Sequence, residues 1–344
     1  MNRNLFIISA IIILAAAAFL LFQRFGRESF ELPKGKPSEE IVVELEDDEK
    51  LTEKKIMVTD GVKHSIPLEE IISGGPPKDG IPSIDNPKFI SVEEANQWLG
   101  DDEPGVAFSL GDTHRFYPYQ ILVWHEIVND TVQGQRVLIT YCPLCLTGFI
   151  FDPVVQGERV EFGTSGKLWK SNLVMYDRKT DSLWPQILGE AVVGEMTGTR
   201  LKTLPSDQIT YGAFKKAHSQ GQVLSRDTGA ARFYGSNPYG NYFQPVSFAL
   251  SLVGSRDTRL PAEAYVFGIV VDGKAKAYFI ESVKNQGEVK DTFEGKNFVL
   301  KHDKDLDVVR VYEKLPDGSE VRINPFSSFW FSWAAAYPDS ELYK

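Results

Sequence analysis

The sequence has almost no cysteine: two residues in 344, Cys142 and Cys145. That excludes a disulfide scaffold. Methionine, with four residues, and histidine, with five, are also scarce, so few soft or imidazole donors exist for a metal. Positive charge is short as well. Lys and Arg number 37 against 47 Asp and Glu, a net charge of −10, which argues against a nucleic-acid backbone as the main partner. Long hydrophobic runs are absent apart from one at the N-terminus.

That run extends from Leu5 to Phe22 with Ser9 as its one polar member. At about 1.5 Å per residue it spans roughly 27 Å, close to the hydrocarbon thickness of a bilayer. It reads as a signal anchor or transmembrane helix, with residues 5–22 in contact with the membrane. Arg24, Arg27, Lys34 and Lys36 follow it, which by charge alone weakly favours a cytoplasmic C-terminal side. A single apolar segment ahead of a large domain is the usual form of an export signal, so the globular part is expected outside the cytoplasm. A cleaved, secreted form is the alternative.

The expected organisation is an anchor over residues 1–23, a charged acidic linker over 24–55 and a globular domain over 56–344. The linker holds ten acids and five lysines between residues 28 and 55, with room for one short helix or strand. Beyond it, Ile66–Ile72 reads as a short helix. Gly74–Pro82 is too rich in glycine and proline for a helix or a central strand, and must be a shaped loop. Ser91 with Glu94 has the spacing of a capping box, which predicts a helix over Ser91–Leu99. Tyr119–Asn129 has a helical face. Strand patterns dominate elsewhere, at Val106–Leu110, Arg136–Tyr141, Gly148–Phe151, Val266–Val271, Asn297–Lys301 and Val308–Tyr312.

The chain also resembles itself. Laid over itself with one constant shift, it places Tyr117 on Tyr278, Val128 on Val289, Asp130 on Asp291, Thr131 on Thr292 and Gly134 on Gly295. This predicts a single large, β-rich α+β domain holding two related strand–helix–strand–strand units, at about 106–152 and 267–313. Cys142 falls opposite Asp303, Cys145 opposite Leu306 and His125 opposite Gln286, so the chemistry is expected in the first unit.

Cys142-Pro143-Leu144-Cys145 follows an apolar strand and precedes another. A strand–turn–strand dithiol fits three readings: an inert disulfide, a metal knuckle, or a redox or nucleophilic thiol. Structural zinc wants four ligands, and no second cysteine pair exists. A metal would therefore draw on Cys142, Cys145, His125 and Met175, a set that favours copper over zinc. A thiol enzyme would use Cys142 or Cys145 with His125 as base. His125-Glu126 is not an H-E-x-x-H motif, because Asn129 stands in the last position, and a packed, hydrogen-bonded histidine is the simpler reading. Gly163–Lys167 fails both the phosphate-loop and G-x-S-x-G patterns and reads as a turn. A third reading is a non-catalytic module whose pocket binds a small polar ligand through Lys78, Asp79, Asp177, Arg178, Trp184, Arg226 and Asp227.

Gly74–Pro82, Trp124–Asp130, Tyr141–Cys145, Leu173–Arg178, Leu224–Gly229 and Phe329–Ala334 together resemble the "domain of unknown function" family numbered 3179. That family occurs in exported or membrane-attached proteins of bacteria and archaea. The resemblance runs from about Ile66 to Tyr343 and is weaker around Phe279–Glu281 and Gln286–Glu288. It brings no established activity. It implies that the position of Cys145 can hold threonine in other members, so that a dithiol couple is not general to the family.

Overall fold

The computed structural model describes residues 31–47, 50–239, 247–253 and 257–344. The apolar run Leu5–Phe22 lies outside them. Among the described residues no helix is long and apolar enough to cross a membrane. The fold is β-rich, with 46% strand and 12% helix among the described residues, in a single domain, so sheets set the position of every side chain discussed below.

Five strands and a short helix occupy residues 104–152: Pro104–Leu110, Thr113–Pro118, helix Tyr119–Leu122, Ile127–Val132, Gln135–Cys142 and Thr147–Asp152. The same series recurs, in the register that sets Tyr117 on Tyr278, as Tyr265–Val271, Lys274–Phe279, helix Ile280–Gln286, Glu288–Phe293, Lys296–Asp303 and Val308–Lys314. A further strand–helix–strand set, Ser206–Thr210, Tyr211–Ala217 and Gln222–Leu224, recurs as Phe326–Phe329, Trp330–Ala336 and Glu341–Tyr343. The strands pair in the same order in both copies. Ser206–Thr210 flanks Pro104–Leu110 as Phe326–Phe329 flanks Tyr265–Val271, and Gln222–Leu224 and Glu341–Tyr343 each run parallel to the neighbouring strand.

Polar anchors recur with the strands. Tyr117 donates to Asp130 at 2.6 Å and Tyr278 to Asp291 at 2.7 Å, while the backbone N–H groups of Thr131 and Thr292 bond the other oxygen of each carboxylate. Arg115 pairs with Asp130 as Lys276 pairs with Asp291. Each carboxylate is thus held by a cation, a hydroxyl and a backbone donor, which offsets the cost of its burial.

The second correspondence spans less chain than the first. The first copy therefore carries a stretch that the second lacks, placed between Asp152 and Lys202. It builds an added sheet of Phe162–Trp169, Asn172–Asp177 and Leu183–Pro185, edged by Ile71–Ser73.

Four local expectations need correction. The expected linker over 24–55 holds more than one short strand: Glu39–Asp47 pairs along its length with Lys50–Thr59. Ile41 and Val43 are half-buried there while Glu40, Val42 and Glu44 are exposed, the two-residue period of a strand. Leu68–Glu70 is a 3₁₀ turn running into the strand Ile71–Ser73, not a helix over 66–72. The helical face at 119–129 ends at Leu122, because Glu126 takes a positive φ of 59° and turns the chain into a strand. Gly163–Lys167 lies within a strand that carries a β-bulge between Thr164 and Lys167, which accounts for its turn-like composition. The capping box at Ser91 and Glu94 is present.

Candidate functional site

The turn Pro143–Leu146 joins two paired strands, with Cys142 directly opposite Thr147. Both cysteines are free thiols and both are buried. In the second copy the same turn begins at Asp303, whose carboxylate caps it by accepting from the N–H groups of Asp305 and Leu306. The first copy has a thiol at that place, and the added sheet closes over it.

Cys145 sits in a polar pocket within the apolar core. Asn172 Nδ2 donates to its sulfur at 3.2 Å, and Thr147 Oγ1 lies 3.3 Å away. Asn172 is oriented by its other end, where Oδ1 accepts from Ile187 N–H at 2.8 Å. Gln186 completes the network. Its Oε1 accepts from Thr147 and Asn172, and its Nε2 donates to Thr140 Oγ1 at 2.9 Å. Ser332, on the closing helix Trp330–Ala336, has one hydroxyl proton. It can go to Lys170 O at 3.2 Å or to the Cys145 sulfur; an ionised sulfur is the stronger acceptor.

These donors separate the two thiols. Burial alone pushes Cys145 up, but hydrogen bonds to its sulfur, the Asn172 amide's among them, bring it below its ordinary value; Thr147 can donate there only when its single proton leaves Gln186. Cys142 is pushed well up, first by burial and then by its hydrogen bond with Cys145; the Ser171 carbonyl, 3.7 Å from its sulfur, is a second acceptor for the thiol. Ionisation of the pair is thereby favoured at Cys145 over Cys142.

Glu126 stands at the same site. It is buried at positive φ, where the second copy has Gly287. A glutamate in a backbone conformation that favours glycine is locally strained, and such strain clusters at functional positions. Burial raises its pKa to about 7, opposed by a hydrogen bond from Tyr239 at 3.1 Å and reinforced by the charge of Cys145.

His125 is bonded elsewhere. Nδ1 contacts Pro82 O at 2.7 Å and Nε2 contacts Tyr234 Oη at 2.6 Å. A carbonyl only accepts, so Nδ1 carries the proton and Nε2 accepts from Tyr234. Burial lowers the His125 pKa, which keeps the ring neutral. It clamps the Gly74–Pro82 loop to the 226–237 segment, with no nitrogen left for a metal or a thiol. His125→Ala is expected to cost about 1–3 kcal/mol by stranding its partners. Urea denaturation measures it; unchanged stability would remove the clamp.

The remaining candidates are dispersed. Lys78 pairs with Asp181 and lies over the Tyr176 ring, and Asp79 accepts from Tyr176. Arg178 bonds Asp85, Glu161 and Ser83. Asp177 is buried under Thr180, the Lys179 N–H and the Trp184 indole. Trp184 and Met175 are buried in the core cluster that also holds both cysteines. Arg226 bonds Gln120 and stacks on Trp98, while Asp227 pairs with Lys88 at the surface. The Lys78, Asp79 and Arg178 contacts fasten the 74–85 loop to the added sheet; they do not converge with Arg226 and Asp227 in one shared set of contacts. Among the described residues no group of three His, Cys, Asp or Glu side chains comes together to hold a metal.

Asn172, Thr140, Thr147, Tyr141 and Tyr239 escape sequence reasoning. The available signal is the internal comparison, which sets Glu126 against a glycine and the cysteine turn against an aspartate cap.

A family model described as "Protein of unknown function (DUF3179)" matches residues 78–326. The chain belongs to this family. No curated protein and no solved structure matches it. The DUF3179 match takes in the cysteine turn, Glu126 and the added sheet. It stops short of Ser332, so the helix that closes this site lies beyond the matched segment.

Proposed function

We propose that the protein is a thiol–disulfide redox protein, held at the membrane by residues 5–22 with its domain outside the cytoplasm. Cys145 is the attacking thiolate, Cys142 the resolving thiol and Glu126 the proton carrier. The observation that carries this reading is the Asn172 amide, fixed by Ile187 N–H and aimed at the Cys145 sulfur. Inert buried thiols need no such donor set, and a low thiol pKa is what thiol exchange requires. A metal reading finds less support, because His125 has both ring nitrogens bonded.

A disulfide reagent that releases a coloured thiol, such as 2,2′-dithiodipyridine, tests the roles. Cys145 thiolate attacks one sulfur, forms a mixed disulfide and expels one thiopyridone. Cys142 then attacks the Cys145 sulfur, forms the Cys142–Cys145 bond and expels the second. The dithiol loses two electrons and two protons, and the reagent gains them. The wild type is expected to release two equivalents with no retained adduct. Cys142→Ser should release one and keep the adduct on Cys145. Cys145→Ser should react at least tenfold more slowly. Equal rates for the two single variants would overturn the assignment.

A further inference from the structure

A half-open pocket of about 180 Å³ abuts the cysteine turn, walled mainly by Pro104, Tyr119, Val123, Tyr141, Pro143 and Leu146, with Gln120, Ser236 and Asn237 as polar members. Among the described residues no charged side chain lines it, so an ion would lose its hydration there without a counter-charge. Its volume is close to that of engineered apolar cavities that take up benzene, about 150 Å³. Tyr119 and Tyr141 stack, with ring centroids 4.2 Å apart, and offer a flat aromatic face.

Three tyrosines line this cavity and two have committed hydroxyls. Tyr119 donates to Gln208 and Tyr239 donates to Glu126. The Tyr141 residue is 2% exposed, and its hydroxyl has no hydrogen-bond partner among the described residues. The hydroxyl is not among the described buried polar atoms left without a partner, so it opens on the pocket, where a ligand acceptor would take the place of solvent. Burial, with the nearby Cys142, holds the Tyr141 pKa well above its ordinary value, so the hydroxyl remains a donor at neutral pH. Tyr141 and Cys142 are consecutive in one strand and leave opposite faces of the sheet; the pocket meets the cysteine turn through Pro143 and Leu146.

We propose that this cavity binds an uncharged, flat apolar group bearing one hydrogen-bond acceptor, which takes its bond from the Tyr141 hydroxyl. This deepens the thiol reading by naming the class of compound presented to Cys145, and rests on it only for the ligand's role, not for its binding.

Two probes of similar size test it: acetophenone, with a carbonyl acceptor, and ethylbenzene, without one. Binding is followed by NMR through the tyrosine ring resonances of reduced protein. Acetophenone is expected to shift the Tyr119 and Tyr141 rings and to bind roughly fivefold tighter than ethylbenzene, the worth of one neutral hydrogen bond. Tyr141→Phe should abolish that preference, and Val123→Phe should block both probes. Shifts in the wild type locate the site even if a variant fails to fold. Equal affinity of the two probes, or no shift with either at millimolar concentration, would overturn the proposal. Neither result depends on thiol exchange, so loss of one reading is distinguishable from loss of the other.

Discussion

Gly268→Ala is expected to destabilise the fold by roughly 3 kcal/mol, at the upper end of overpacking costs. Gly268 lies in the strand Tyr265–Val271, and the Trp333 ring packs directly onto its Cα, leaving no room for a Cβ. Trp333 cannot swing away. It is fully buried, its Nε1 donates to Ser340 Oγ at 2.9 Å, and Tyr337 lies 4.3 Å from it, centroid to centroid. The first copy shows the compensating pair. The position of Gly268 is Ala107 there, and that of Trp333 is Phe214, so the larger ring accompanies the missing methyl. Trp333→Phe should therefore recover part of the loss when combined with Gly268→Ala. Urea denaturation of the two single variants and the double variant measures the coupling. Additive losses would show that the two sites do not share this contact.

Glu126→Gln should change the pH dependence of stability by about 3 kcal/mol, the free energy equivalent of its pKa displacement. The folded-state pKa of Glu126 is about 7 against an ordinary 4.5, so folding favours the protonated form. The stability it contributes is fully present below pH 4.5 and is lost as pH rises through 7. Glutamine keeps an acceptor for Tyr239 and never ionises. The variant should match the wild type near pH 4 and exceed it near pH 8. Denaturation midpoints across that range decide it; parallel curves would mean that Glu126 ionises freely in the fold. The same variant should slow thiol exchange near neutral pH, where Glu126 carries a proton only part of the time.

The recurrence of the first unit was legible because its marks are polar and fixed. Tyr117, Asp130 and Thr131 face Tyr278, Asp291 and Thr292 in sequence and make matching hydrogen bonds in space. The strand–turn–strand setting of the cysteines was legible for a similar reason, since β-branched and aromatic runs flank the turn. The further recurrence, of Ser206–Leu224 as Phe326–Tyr343, was hidden by the stretch added between Asp152 and Lys202, which breaks the constant shift. The surroundings of Cys145 were not legible at all. Asn172, Gln186 and Ser332 come from separate elements, and nothing local marks a buried amide as facing a sulfur. His125 is the packed, hydrogen-bonded histidine of the simpler reading, its ring spent on a loop carbonyl and a tyrosine. The ionising thiol was equally invisible: spacing cannot distinguish Cys142 from Cys145, and only the donor geometry does.

The central claim, that Cys145 and not Cys142 carries the thiolate, is most directly tested by a pH titration of the two Cβ resonances in reduced protein labelled with ¹³C at cysteine. The account predicts that Cys145 ionises below the ordinary thiol value and that Cys142 stays protonated well above it. It also predicts that Asn172→Leu raises the Cys145 transition. A Cys142 transition below that of Cys145, or both at or above the ordinary value, would contradict it.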